Sequence, residues 1–283
     1  MPAADSRVKD LGKLSGDVLL FGGPYSNFQA TQALLAVARS LNIPPDRRIC
    51  TGDVVAYCAS PAETLQLLQG RCELVAGNCE KQLAIVADDC GCGFEDGSAC
   101  DVLSKGWYPF ASAAMSDADR EYMRDVPDML VFSVYGKRYA VIHGGVADVS
   151  RYLWSTSPDA EFLTEIEAVH AAVGPVDGIV AGHSGIAFER HVAGVHWINA
   201  GVIGMPPHDG RVETVFVVMS NDGPRFERLT YDASDASAAM VGAGLVQGYE
   251  KALLSGYWPS EDILPAGLRR AMPLKDDKSV RAG

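Results

Sequence analysis

The chain has no long apolar run, no basic block and no internal repeat. None of its apolar stretches approaches the ~20 residues that a membrane-spanning helix needs. Residues 1–16 are polar and hold no apolar signal core, which predicts a soluble, cytoplasmic protein. No cluster of Lys and Arg exceeds two residues, and the formal charge is -12. A nucleic-acid partner would need a basic footprint, and an anionic membrane surface would repel this chain. A small phosphorylated substrate remains compatible, given one local cation. The 7 cysteines, an odd number, do not make the disulfide framework of a secreted domain. Cys90, Cys92 and Cys100 leave a soft-metal or redox role open, although their spacing is not that of a zinc ribbon or a thioredoxin site.

What is present is a composition that can bury a core: 48% apolar residues in a chain of 283, enough for one large domain. Residues 17–22 predict a strand that runs into the turn Gly22-Gly23-Pro24-Tyr25-Ser26-Asn27. Leu34, Leu35, Val37, Ala38 and Leu41 recur at helical spacing over 28–41, and Pro44-Pro45 ends that helix. A second strand over 47–50 leads to Asp53. Ser60-Pro61-Ala62-Glu63 reads as a helix start, and a third strand over 72–77 ends at Asn78. This alternation implies a largely parallel sheet with right-handed crossovers. The composition shifts over 88–110, read as an inserted loop with a short helix, placed to fold over a site as a lid. A hairpin over 130–143, a helix over 158–173 and a buried strand over 178–182 follow. Strands near 187–191, 194–199, 211–219 and 225–230 make the second half hairpin-rich. The expected organisation is a tail over 1–16, one domain over 17–232, a helical segment over 233–274 packed on it, and a tail over 275–283. A break in that helical segment is expected at Gly256-Tyr257-Trp258-Pro259.

Four short stretches carry the chemistry. Each places a polar, metal-competent side chain at the end of an apolar run: Thr51-Gly52-Asp53, Gly77-Asn78-Cys79-Glu80, Ile142-His143-Gly144-Gly145 and Gly182-His183-Ser184-Gly185. In open α/β sheets the carboxyl ends of strands are where ligands bind. Asp53, Asn78, His143 and His183 make a plausible ligand set for one divalent ion.

The order and spacing of these stretches resemble the calcineurin-like metallophosphoesterases over about residues 17–231. That family carries Asp-x-His, Gly-Asp, Gly-Asn-His-Asp/Glu, a lone His and Gly-His-x-His, in that order. The turn Asn199-Ala200-Gly201 is similar to the one that follows its last motif. The resemblance implies a four-layer α/β/β/α sandwich and, ordinarily, a two-metal site that hydrolyses phosphate esters. The departures from the pattern are concentrated. Gly23-Pro24-Tyr25 stands where the family has Asp-x-His, and Gly185 stands at the last His. By the family's pattern these three losses fall on one ion, which keeps only the bridging Asp53. The other ion keeps Asp53, Asn78, His143 and His183. The resemblance therefore implies a single-metal site, and mixed imidazole and oxygen ligands suit Mn, Fe or Zn.

One metal can act as Lewis acid and acidify water, but it holds a dianion less well than two. The expected function is hydrolysis of a small phosphate ester, a phosphodiester in preference to a monoester. Tyr25 is read as a catalytic hydrogen-bond donor or ligand, or as a filler of the vacated space. Cys79, where the family has His, is read as a catalytic acid, nucleophile or soft ligand, or as an inert buried thiol. Glu80 keeps the family's acidic position, in a structural role. Arg151, with Tyr152 and Trp154, and His208 in the Pro-rich turn over 206–210 are candidate substrate contacts, against simple loop packing. Two other readings stay open at this point. One is a silent relative that binds a phosphorylated ligand or partner; the other is a non-hydrolytic metalloenzyme using Cys79.

Overall fold

The computed structural model describes residues 7–92 and 99–270, without the side chains of residues 99–101. Its strands fall into two sheets. The first contains β2 (Val18–Phe21), β3 (Arg48–Cys50), β4 (Glu73–Leu74), β10 (Thr214–Ser220) and β11 (Gly223–Leu229), in the order β11-β10-β2-β3-β4. Strands β2, β3 and β4 run parallel, while β10 pairs antiparallel with both β2 and β11. The second contains β1 (Val8–Lys13), β5 (Met129–Val134), β6 (Lys137–Val141), β7 (Gly178–Ala181), β8 (Phe188–Val192) and β9 (Val195–Asn199), in the order β1-β5-β6-β7-β9-β8.

The period-2 alternation of the strands explains why the sheets stack. In β2, Val18 and Leu20 point into one buried cluster and Leu19 and Phe21 into another. In β10, Val217 and Met219 face the first cluster while Phe216 and Val218 face the second. The shared cluster lies between the sheets, where Ile49 and Val75 meet Leu130, Phe132, Val141, Val180 and Ile198. The outer face of the five-stranded sheet is covered by α1 (Phe28–Ser40), α2 (Pro61–Leu68), α3 (Asn78–Ala84), α4 (Ala99–Ala114) and α5 (Asp117–Asp125). Helices α7 (Ala233–Gly242) and α8 (Tyr249–Ser255) join them there, through Met240 and Leu253. Helix α6 (Asp159–Val173) covers the six-stranded sheet with Phe162, Ile166 and Val169. The result is the expected four-layer α/β/β/α sandwich. None of the described helices is long and apolar enough to cross a membrane.

Three expectations change. Residues 8–13, expected as tail, form β1, parallel to β5 from Val8↔Met129 to Lys13↔Ser133. Its side chains are mostly exposed, so backbone pairing rather than an apolar pattern recruits this edge strand. The helix after the 88–92 loop is α4, 16 residues long rather than short, with Trp107 fully buried. Residues 93–98 and the Cys100 side chain, central to the lid and redox expectations, lie outside the described residues, as does the tail over 275–283. Among the described residues beyond Gly256 the one helical turn is the 3-10 turn at Ala266–Leu268, because Gly256 adopts φ +76 and Pro259 follows.

Phe132 sits fully buried between the sheets with its ring stacked on Tyr139, centroids 5.4 Å apart. Phe132→Ala should therefore cost about 3–5 kcal/mol. Urea denaturation is expected to show a lower midpoint with an unchanged slope.

Candidate metal centre

The four stretches leave corresponding ends of both sheets: Asp53 after β3, Asn78 after β4, His143 after β6 and His183 after β7. Both sheets thus deliver their loops to one place. Asp53 sits there in a left-handed backbone conformation, φ +55, directly after Gly52 at φ +98. Such a non-glycine conformation costs of order 1–3 kcal/mol unless its surroundings hold it. Glu80, on the first turn of α3, does so. Its carboxylate accepts the N–H groups of Asp53 at 2.8 Å, Val54 at 2.8 Å, Val55 at 3.3 Å and Gly77 at 2.9 Å. Burial and the neighbouring Asp53 carboxylate push Glu80 up to about 6, so it is ionised at neutral pH.

The side chains then converge. The Nδ1–H of His143 donates to the Thr51 carbonyl at 2.6 Å, which leaves Nε2 with a lone pair. That Nε2 lies 3.2 Å from Asp53 Oδ2, 3.1 Å from Asn78 Oδ1 and 2.9 Å from His183 Nδ1. His183 Nδ1 is 3.8 Å from Asp53 Oδ2. The Asn78 amide is oriented by its NH2, which donates to the Cys90 carbonyl at 2.8 Å and to Cys92 Sγ at 3.1 Å. Four lone-pair atoms in a buried site repel one another unless a cation or a proton lies among them. Their spacing suits neighbouring ligands around one ion with bonds of about 2.1 Å. Asp53, His143 and His183 are a candidate metal-binding group, and all three are buried.

The protonation pattern follows from charge and burial. Burial would raise the Asp53 pKa, but the charges and hydrogen bonds of His143 and His183 hold it well below the usual carboxylate range. Burial lowers His143, yet the Asp53 charge and hydrogen bond and the Thr51 carbonyl raise it above its ordinary value. His183 is lowered: burial outweighs its hydrogen bond to Asp53, and the charge of His143 adds to the shift. His183 Nε2 is buried and has no hydrogen-bond partner among the described residues.

The residues flanking this set show what fills the space around it. A Cβ built on Gly23 would lie 2.5 Å from the Tyr25 ring and 2.5 Å from Val202. A Cβ on Gly185 would lie 3.3 Å from the Trp258 indole. Tyr25 and Trp258 therefore occupy the room that side chains at those two positions would need. Tyr25 also lines a cleft beside Asp53 and His183. Burial and the Asp53 charge raise its pKa well above that of a free phenol, so its hydroxyl stays protonated.

The other candidates lie elsewhere. Cys79 is buried against Cys92 and is not among the residues that line the cleft. The Cys92 contact lowers its pKa, but burial and the Asp53 charge prevail and keep the thiol protonated. Its backbone N–H reaches Asp53 Oδ1 at 3.3 Å, which turns Oδ2 toward the imidazoles. Arg151, expected at the substrate, instead pairs with Glu165 of α6 at 3.3 Å. His208, also expected there, accepts the Trp258 N–H at 2.9 Å and bonds Glu261 at 3.0 Å, pinning the C-terminal segment. Tyr152 does line the cleft, and Trp154 backs it in a parallel stack at 5.5 Å. Sequence reasoning missed Tyr57, Tyr249 and Trp258, which line the same cleft. Nothing in their local pattern sets them apart from core aromatics.

Glu80→Ala should leave the four N–H groups of Asp53, Val54, Val55 and Gly77 without this acceptor, at ~1–3 kcal/mol for each one left unsatisfied. Chemical denaturation should show a loss of more than ~3 kcal/mol, and a smaller loss for Glu80→Gln, which keeps one acceptor oxygen.

With the geometry in hand, the chain can be set beside known proteins. No curated protein sequence matches it significantly. Its fold is similar to that of hypothetical protein PH1004 from Pyrococcus horikoshii OT3, with a TM-score of 0.70 at 16% identity, covering 86% of this chain and 99% of that one. It is also similar to a metallophosphoesterase from Sphaerobacter thermophilus, with a TM-score of 0.66 at 17% identity, covering 86% of this chain and 100% of the other. At such identities the likeness concerns the fold. The family assignment comes from the sequence, because residues 26–223 match the model of the calcineurin-like phosphoesterase superfamily domain. That span runs from the turn before α1 to the start of β11 and contains all four converging side chains, so the chain belongs to the calcineurin-like phosphoesterase superfamily.

Proposed function

We propose that the protein hydrolyses a small phosphodiester with a single divalent transition metal, Mn, Fe or Zn, held by Asp53, Asn78, His143 and His183. The observation that carries the one-ion reading is the packing at Gly23 and Gly185. By the resemblance, a second ion would need ligands there and at position 25. Those positions offer no carboxylate or imidazole, and a phenol and an indole fill the space.

When bound, the ion supplies Lewis acidity toward a phosphoryl oxygen and acidifies water. The chain's own groups do the rest. Glu80 fixes the Asp53 backbone, the Cys79 N–H orients its carboxylate, and Thr51 fixes the His143 ring. Tyr25, protonated and on the cleft wall, is placed to donate a hydrogen bond to a phosphate oxygen. None of the described residues lining the cleft is Lys or Arg. The ion would then be the one cation facing the substrate, and with the Asp53 carboxylate it gives the site about one net positive charge, which a monoanionic diester balances and a dianionic monoester exceeds, leaving a buried charge uncompensated.

Elemental analysis of protein purified without added metal should find one ion per chain, lost in His143→Ala. Hydrolysis of bis(4-nitrophenyl) phosphate with Mn or Fe should fall roughly 100-fold or more in the same variant. Two ions per chain, no ion, or an unaffected rate would defeat the reading. In the wild type, kcat/KM for the diester should exceed that for 4-nitrophenyl phosphate by about tenfold. A preference for the monoester would count against the charge argument.

A further inference from the structure

The cleft beside Asp53 and His183 has a wall that the one-ion reading does not use. It is narrow, about 580 Å³ measured out to its open mouth. Tyr25, Tyr57, Tyr152, Tyr249 and Trp258 all line it, and Met205 adds a polarisable thioether. These five aromatic side chains come from four separate parts of the chain: the turn after β2, the loop after β3, the loop after β6, and α8 with the turn beyond it. Tyr57 and Tyr249 stack with centroids 4.4 Å apart, and Tyr25 meets Tyr57 edge-on at 4.7 Å. Tyr152 lies across the His183 ring at 4.4 Å and is backed by Trp154. Trp258 is fixed at two points: its Nε1–H donates to the Pro206 carbonyl at 2.7 Å, and its backbone N–H donates to His208 at 2.9 Å. The rings are thus held in place, which lowers the entropy cost of receiving a flat group.

We propose that this cleft takes a phosphodiester bearing a planar aromatic group, with Tyr152, Tyr249 and Trp258 as the residues that select it. The proposal rests on the phosphate-ester reading above and adds the chemical class of the ester's organic half. Aromatic faces attract a flat π-system through offset or edge contacts, which a branched or flexible alkyl chain cannot reproduce. The described wall offers no charged side chain to an ester substituent beyond Asp53 and His183, both committed to the converging set. The aromatic wall and the ligand set share one cleft, so a phosphate directed at Asp53 and His183 would leave its ester group against the rings.

The test compares two diesters of similar apolar bulk, diphenyl phosphate and dibutyl phosphate, by calorimetric titration of Mn-loaded protein. Diphenyl phosphate is expected to bind at least about tenfold more tightly. Trp258→Leu and Tyr152→Leu, which keep apolar volume but remove the ring, should each shrink that ratio several-fold, and Trp258→Phe should recover most of it. Equal affinities in the wild type, or an undiminished ratio in both leucine variants, would overturn the proposal. Hydrolysis of bis(4-nitrophenyl) phosphate, followed alongside, separates this inference from its premise. Turnover without aryl preference removes only the wall's role. Aryl preference without turnover supports the wall and removes the hydrolase reading instead.

Discussion

Everything at the centre of this protein depends on the repulsion among four buried lone pairs. His143 Nε2, His183 Nδ1, Asp53 Oδ2 and Asn78 Oδ1 face inward at separations as short as 2.9 Å. Three of the four cannot turn away cheaply. His143 is tied through its other nitrogen to Thr51, and Asn78 through its NH2 to Cys90 and Cys92. Asp53 is fixed by a strained backbone that Glu80 clamps through four N–H groups. A polar cluster preorganised this way is costly when unsatisfied and stabilising when a cation is bound, because the ligands are already in position. The fold supplies the preorganisation by running both sheets to the same edge.

The close approach of the loops is itself a constraint on sequence. A Cβ on Gly77 would lie 2.3 Å from Asp53 Oδ1, and one on Gly182 would meet the Thr51 side chain. Glycine at these points lets Asp53, Asn78 and His183 share a space that bulkier neighbours would prise apart. The glycines at 23 and 185 have a different meaning. There, large rings fill what a side chain would need, so the small residue and the big neighbour form a complementary pair.

This distinction explains what could be read from the sequence and what could not. Gly-Asp, Gly-Asn, Ile-His and Gly-His each end an apolar run, and that local signal marks a strand's carboxyl edge wherever it occurs. The order of those runs carries the family resemblance, the resemblance implied the four-layer sandwich, and the structure shows it. Strand β1 was invisible because its pattern is polar and its pairing with β5 lies more than a hundred residues away. Arg151 and His208 looked like substrate contacts because they follow site motifs, yet local position did not decide their partners. Glu165 on α6 and Glu261 near the C-terminus did. Trp258 and Tyr249 could not be read at all. Their place beside His183 is set by how α7 and α8 pack on α1 and the five-stranded sheet, a long-range outcome with no motif.

The last step joins the two halves of the cleft. If the one-ion proposal holds, the site has one cation fewer than a two-ion site and a space beside the ion. Water in that space would screen the remaining ion and weaken its hold on a phosphoryl oxygen. Rings in the same space exclude water and keep the local dielectric low, which strengthens the ion's field where it acts. Tyr25 adds a neutral donor in place of a charge. The aromatic closure is therefore more than a filler of lost volume. On the one-ion reading it is the physical condition under which an ion among Asp53, Asn78, His143 and His183 would hold a monoanionic ester firmly, and the proposed preference for an aromatic ester group would then follow from the same packing that leaves no room at Gly23.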